Sequence, residues 1–123
     1  MNYIDFFNKL KCSDSRVEYI VLDQEQGTLD SNIPMFYRFV NPINVEFEFG
    51  DGIIRLIPFS ELETTNKQYE YVNEGCIFAT CNGEPIYEKN QKVYTRMCGK
   101  NRIIEEEIAI SIDSLFEKVN ENI

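Results

Sequence analysis

The stretch from Val45 to Ile57 constrains this chain more than any other. Val45, Phe47 and Phe49 alternate with Glu46 and Glu48, Gly50-Asp51-Gly52 breaks the run, and Ile53-Ile54-Arg55-Leu56-Ile57 returns. A period of two in β-branched and aromatic residues fits a strand with one buried face, and a glycine-rich break between two such runs is hairpin chemistry. The chain therefore needs an antiparallel sheet, and Glu46 and Glu48 point away from its core, toward solvent or a partner.

The same chemistry recurs. Cys76 to Cys81 is apolar, Asn82-Gly83 supplies two positive φ angles, and Pro85-Ile86-Tyr87-Glu88 comes back, with Lys92 to Met97 as a further strand beyond a short polar turn. Val17 to Leu22 reads as another strand, followed by a polar loop from Asp23 to Asn32. Helical spacing appears where strands do not. Tyr3, Phe6, Phe7 and Leu10 form one stripe behind Asn2 as cap; Ile112, Leu115, Phe116 and Val119 form another behind Ser111. Between these, Met35, Phe36, Phe39 and Val40 follow Pro34 at helical spacing up to Asn41-Pro42, and Ser60 with Glu63 has the form of a capping box. Hairpins bracketed by helices predict an α+β fold: an antiparallel sheet of about five to six strands with helices at both termini and between hairpins.

With 123 residues, no repeat and no linker, one domain over 1–123 is expected. No run approaches the roughly 18 apolar residues of a membrane span, and the first residues lack a secretory pattern, so the expected compartment is the cytoplasm with no membrane partner.

Function is narrowed first by histidine, of which there is none. Ser-His-Asp and Cys-His nucleophilic sites and histidine-bearing metal centres cannot be built in cis. Cys12, Cys76, Cys81 and Cys98 form no C-x-x-C pair and are expected reduced and mostly buried. Glu105-Glu106-Glu107 reads as a solvated loop, because consecutive carboxylates diverge while a calcium site needs about six to eight oxygens from a shaped loop. A carboxylate pair for glycoside hydrolysis would draw on Glu84 or Glu88, but nothing singles out such a pair. No enzyme, cofactor or metal is expected.

Against 12 Lys and Arg stand 21 Asp and Glu, a net charge of −9. Nucleic-acid binders show the reverse. The basic stretch Lys89, Lys92, Arg96, Lys100, Arg102 is expected to pair with the acidic segment that follows it. An acidic surface steers encounters with a basic partner. Candidate partner-binding residues are Glu46, Glu48 and Asp51 as an anionic patch, with Tyr69 and Tyr71 as aromatic anchors. Tyr87 and Tyr94 share that chemistry, and at least two of the four tyrosines are expected to pack into the protein.

The order of segments also resembles a known family. Ile33-Pro34-Met35-Phe36-Tyr37-Arg38-Phe39, then Ile57-Pro58-Phe59-Ser60-Glu61-Leu62 leading to Asn66 and Tyr69, looks like the middle of the SUKH superfamily. Cys76-Ile77-Phe78-Ala79-Thr80, Asn82-Gly83-Glu84-Pro85-Ile86, Lys92-Val93-Tyr94-Thr95 and Ile108-Ala109-Ile110-Ser111 before Leu115-Phe116 follow in that family's order, so that the resemblance spans residues 33–119. It implies an α+β fold and a bacterial immunity protein that neutralises a cognate toxin domain, such as a nuclease with a basic surface. The fungal branch of that superfamily implies the other reading, a non-enzymatic module regulating cell-wall synthesis. Neither implies catalytic residues.

Overall fold

The computed structural model describes residues 1–22, 32–72, 74–98 and 103–123. Helix α1 (Tyr3–Ser13) starts as the sequence predicts, with the Asn2 side chain accepting from the Asp5 amide at 3.1 Å. Strand β1 (Glu18–Val21) follows, then a 3-10 turn (Met35–Arg38), β2 (Val40–Asn44), β3 (Glu46–Phe49) and β4 (Gly52–Leu56). A second 3-10 turn (Phe59–Glu61) leads into α2 (Leu62–Gln68). Strands β5 (Cys76–Cys81), β6 (Glu84–Lys89), β7 (Lys92–Cys98) and β8 (Ile103–Ala109) precede α3 (Ile112–Asn120), which Ser111 caps through the Ser114 amide at 2.9 Å. The predicted α+β class is the observed one: β3 to β8 form a six-stranded antiparallel meander in chain order, and β1 and β2 a separate pair.

Both predicted hairpins form. Phe47 faces Ile54 across the first, and Asn82 and Gly83 turn the second at φ +52° and +84°. The terminal helices meet on one face of the sheet, where the Phe116 ring stacks on Phe6 at 4.6 Å and lies 5.4 Å from Phe36 and 6.3 Å from Phe47. Buried aromatic pairs of this geometry add to the burial energy that holds first and last helix together.

Four expectations are corrected. The helix expected after Pro34 is a single 3-10 turn, and Asn41-Pro42 lies inside β2 instead of ending a helix. Pro42 is tolerated because β2 pairs with one neighbour only, beside the irregularity at Glu18 and Tyr19. Secondly, the Ser60–Glu63 capping box does not form: α2 has no side-chain cap, Glu63 pairs with Lys67 at 3.1 Å, and the Phe59 amide is satisfied by Asn41 Oδ1 at 3.0 Å. Thirdly, Glu105 to Glu107 are not a loop but the middle of β8. Fourthly, of the described cysteines, expected mostly buried, Cys12 is exposed and Cys81 half-buried, while Cys76 is buried. The polar loop read from Asp23 onward lies outside the described residues up to Ser31.

Candidate functional site

Strand β3 ends the sheet, and a groove of about 510 Å³ runs beside it. Glu46 and Glu48 form its sheet wall, Ile53 on β4 and Ile123 after α3 contribute exposed apolar surface over the buried Leu10 and Val119, and Asp14 and Arg16 come from the loop after α1. Pleating puts Phe47 into the core and leaves both glutamates exposed, as the alternation predicts. Arg16 grips Asp14 with two hydrogen bonds of 3.0 Å. Those bonds hold the Asp14 carboxyl below its ordinary value, while Asp14, and more weakly Glu46, hold the guanidinium charged. Three carboxylates thus face one cation. Ser13 and Asn122, at the ends of α1 and α3, also line the groove, so two helix C-termini add negative potential. Among the described residues Glu48 and Asp51 form no ion pair or side-chain hydrogen bond, and their charges remain available.

The five candidate residues do not make one patch. Asp51 sits in the β3–β4 turn, which packs against the β5–β6 turn: a Cβ on Gly52 would lie 2.6 Å from Cys81 Sγ. Tyr69 reaches that same end of the sheet, its hydroxyl donating to the Gly83 carbonyl at 3.0 Å. Tyr71 packs edge-to-face on Tyr69 with ring centres 6.1 Å apart, and its carbonyl accepts from Arg96 at 2.6 Å. Glu46 and Glu48 therefore belong to the groove, and Asp51 and Tyr69 to one end of the sheet, with Tyr71 against Tyr69 and tied to β7 through Arg96. Tyr87 is buried, and Tyr69, Tyr71 and Tyr94 are half-buried.

A second constellation joins β6, β7 and β8. Glu105 accepts from Tyr87 at 2.7 Å, Lys89 at 2.7 Å and Arg96 at 3.1 Å. Tyr87 stacks on Tyr94 at 5.8 Å, and Lys89 lies over the Tyr94 ring at 4.9 Å. The Lys89 bond, then those of Tyr87 and Arg96, hold Glu105 down to about 2, whereas burial, then the Glu105 bond, push the Tyr87 hydroxyl up. Sequence reading missed this centre because it placed Glu105 in a loop. A usable signal was present: Lys92, Tyr94 and Arg96 at period two, and Glu105 and Glu107 at the same period, are the facing rows of an antiparallel pair.

The basic stretch pairs with the acidic one, as expected. Lys89 and Arg96 hold Glu105, and Lys92 holds Glu107 at 3.3 Å; Lys100 and Arg102 lie outside the described residues. Glu84 and Glu88 stand four residues apart on β6, roughly 13 Å along a strand, wider than glycoside hydrolysis uses. Glu88 is raised by burial and then by Asp113, which accepts the Tyr3 hydroxyl at 2.6 Å. No described helix is long and apolar enough to cross a membrane. No family model, curated protein or solved structure matches the chain.

Proposed function

We propose that this chain is a stoichiometric binding protein whose β3 groove receives a basic surface of a partner, and that the partner is a cognate toxin domain which the complex neutralises. The observation that carries the reading is the groove itself: Glu46, Glu48 and Asp14 beside two helix C-termini, with exposed apolar surface from Ile53 and Ile123. Such a site favours an arginine or lysine whose stem packs on the apolar wall while its head meets carboxylate. With a net charge of −9 the whole molecule steers toward a cationic partner. The immunity role is supported by the succession of SUKH-like segments over residues 33–119. Occlusion of a basic active site then accounts for neutralisation without chemistry on the immunity side.

The test is survival of cells expressing the C-terminal domain of the neighbouring gene's product, with and without this chain. Rescue together with a purified 1:1 complex is the expected outcome. A neighbour that kills regardless, or is harmless alone, overturns the immunity reading and shifts weight to a regulatory module.

A further inference from the structure

The two ends of the six-stranded sheet differ. β3 is four residues long, and the loop through Asp14 and Arg16 and the ends of α1 and α3 border its groove. β8 is seven residues long and stands last in the strand order, and among the described residues no strand lies on its outer side. Long free edges template further strands, and folds guard them by shortening, covering, bulging or charging them. The register of β8 against β7 is irregular only near its Ala109 end, and residues 104–107 are exposed. Among the described residues its remaining guard is charge.

The three glutamates of that edge are not equivalent. Glu105 is spent on Tyr87, Lys89 and Arg96. Glu107 is exposed and paired to Lys92. Glu106 alternates to the opposite face, is exposed, and among the described residues forms no ion pair or side-chain hydrogen bond. Ile104, on the same face as Glu106, is 38% exposed. A second copy laid antiparallel about this centre would set glutamate against glutamate, which is destabilising. A strand carrying cations at those positions would reverse the sign of each contact and gain apolar contact at Ile104.

We propose that the free edge of β8 docks an extended, lysine- or arginine-bearing segment of a partner protein, added as a seventh strand with its cations against Glu106 and Glu107. Main-chain hydrogen bonds supply affinity, and the glutamates select against copies of this chain. The inference goes beyond the groove reading, since β8 and β3 lie at opposite ends of the sheet.

The probe is an acetylated, amidated seven-residue peptide of valine and threonine with two central lysines, and its control carries two central glutamates. Titration of the whole protein followed by amide NMR is expected to move the amides of residues 104–108 and leave those of 46–49 in place. The glutamate peptide should bind on the order of tenfold more weakly, the scale of two cross-strand charge pairs reversed. E106K/E107K should invert that preference, whereas E46K/E48K should leave it unchanged, so that failure here is separable from failure of the groove. Absence of binding at millimolar peptide, equal binding of both peptides, perturbation confined to β3, or a wild-type dimer joined through β8 would each overturn the proposal.

Discussion

Asn66 and Ile77 form a two-point contact in which a side chain stands in for a strand. The Asn66 carbonyl oxygen accepts from the Ile77 amide at 2.8 Å, and its Nδ2 donates to the Ile77 carbonyl at 3.1 Å. The same nitrogen also donates to the Leu62 carbonyl at 2.8 Å, tying α2 to itself and to β5. The contact falls where the β5–β6 register shifts, between Ile77 and Ala79, so Asn66 satisfies backbone groups that the irregular ladder leaves over.

Replacing Asn66 by alanine strands the two polar groups of Ile77, which is fully buried. The expected cost is about 2 kcal/mol, read as a lower urea midpoint with unchanged slope. N66D should cost at least as much, because a carboxylate cannot donate to the Ile77 carbonyl. A loss under half a kilocalorie in both would mean that water serves Ile77 equally well.

Glu105 makes stability depend on acid. A carboxyl held down to about 2 in the fold contributes stability in full above its ordinary value near 4.5, and that contribution drains away as pH falls toward 2. E105Q is expected to be less stable than wild type by about 1 kcal/mol at pH 7, a figure discounted for solvent access, with the two curves converging near pH 2. Parallel curves from pH 7 to pH 2 would remove Glu105 from the account.

Gly75 and Gly83 separate strain from collision. Both sit at positive φ, +81° and +84°, but a Cβ on Gly75 would lie 2.3 Å from the Glu88 carbonyl oxygen, while one on Gly83 meets nothing within 4 Å. G83A should therefore cost about 1 kcal/mol from the left-handed backbone alone, and G75A at least about twice that. Equal losses in chemical denaturation would show that the β5–β6 approach is softer than this geometry requires.

The Tyr37 hydroxyl, fully buried, donates to the Ile57 carbonyl at 2.6 Å and joins the turn after Pro34 to the exit of β4. Y37F keeps the ring and removes the bond, with an expected cost of about 1–2 kcal/mol. A neutral result would assign the site wholly to packing against Phe36, whose ring lies 4.2 Å away.

The groove is tested by charge reversal. E46K/E48K should slow association with a basic partner by about tenfold or more at low salt, with the difference shrinking as salt rises and circular dichroism unchanged. Equal association rates at low salt would assign the partner to another surface.

How much of this was legible follows from the range of each interaction. Alternation and turn chemistry are local, so the hairpins at Gly50-Asp51-Gly52 and Asn82-Gly83, the caps Asn2 and Ser111, the α+β class and the outward glutamates of β3 could be read from the order of residues alone. Long-range pairing is not local. Asn41 reached the Phe59 amide from 18 residues away, Glu105 found its partners only once β8 lay beside β7, and Tyr69 and Asp51 came to one end of the sheet because two turns pack together. The sequence by itself determined which segments pleat, which coil and which faces are apolar, since those depend on neighbours a few residues apart. The tertiary structure decided which polar groups serve one another and which edges stay open, because hydrogen bonds and charges are satisfied by whatever the fold brings within about 3 Å, however far it lies along the chain.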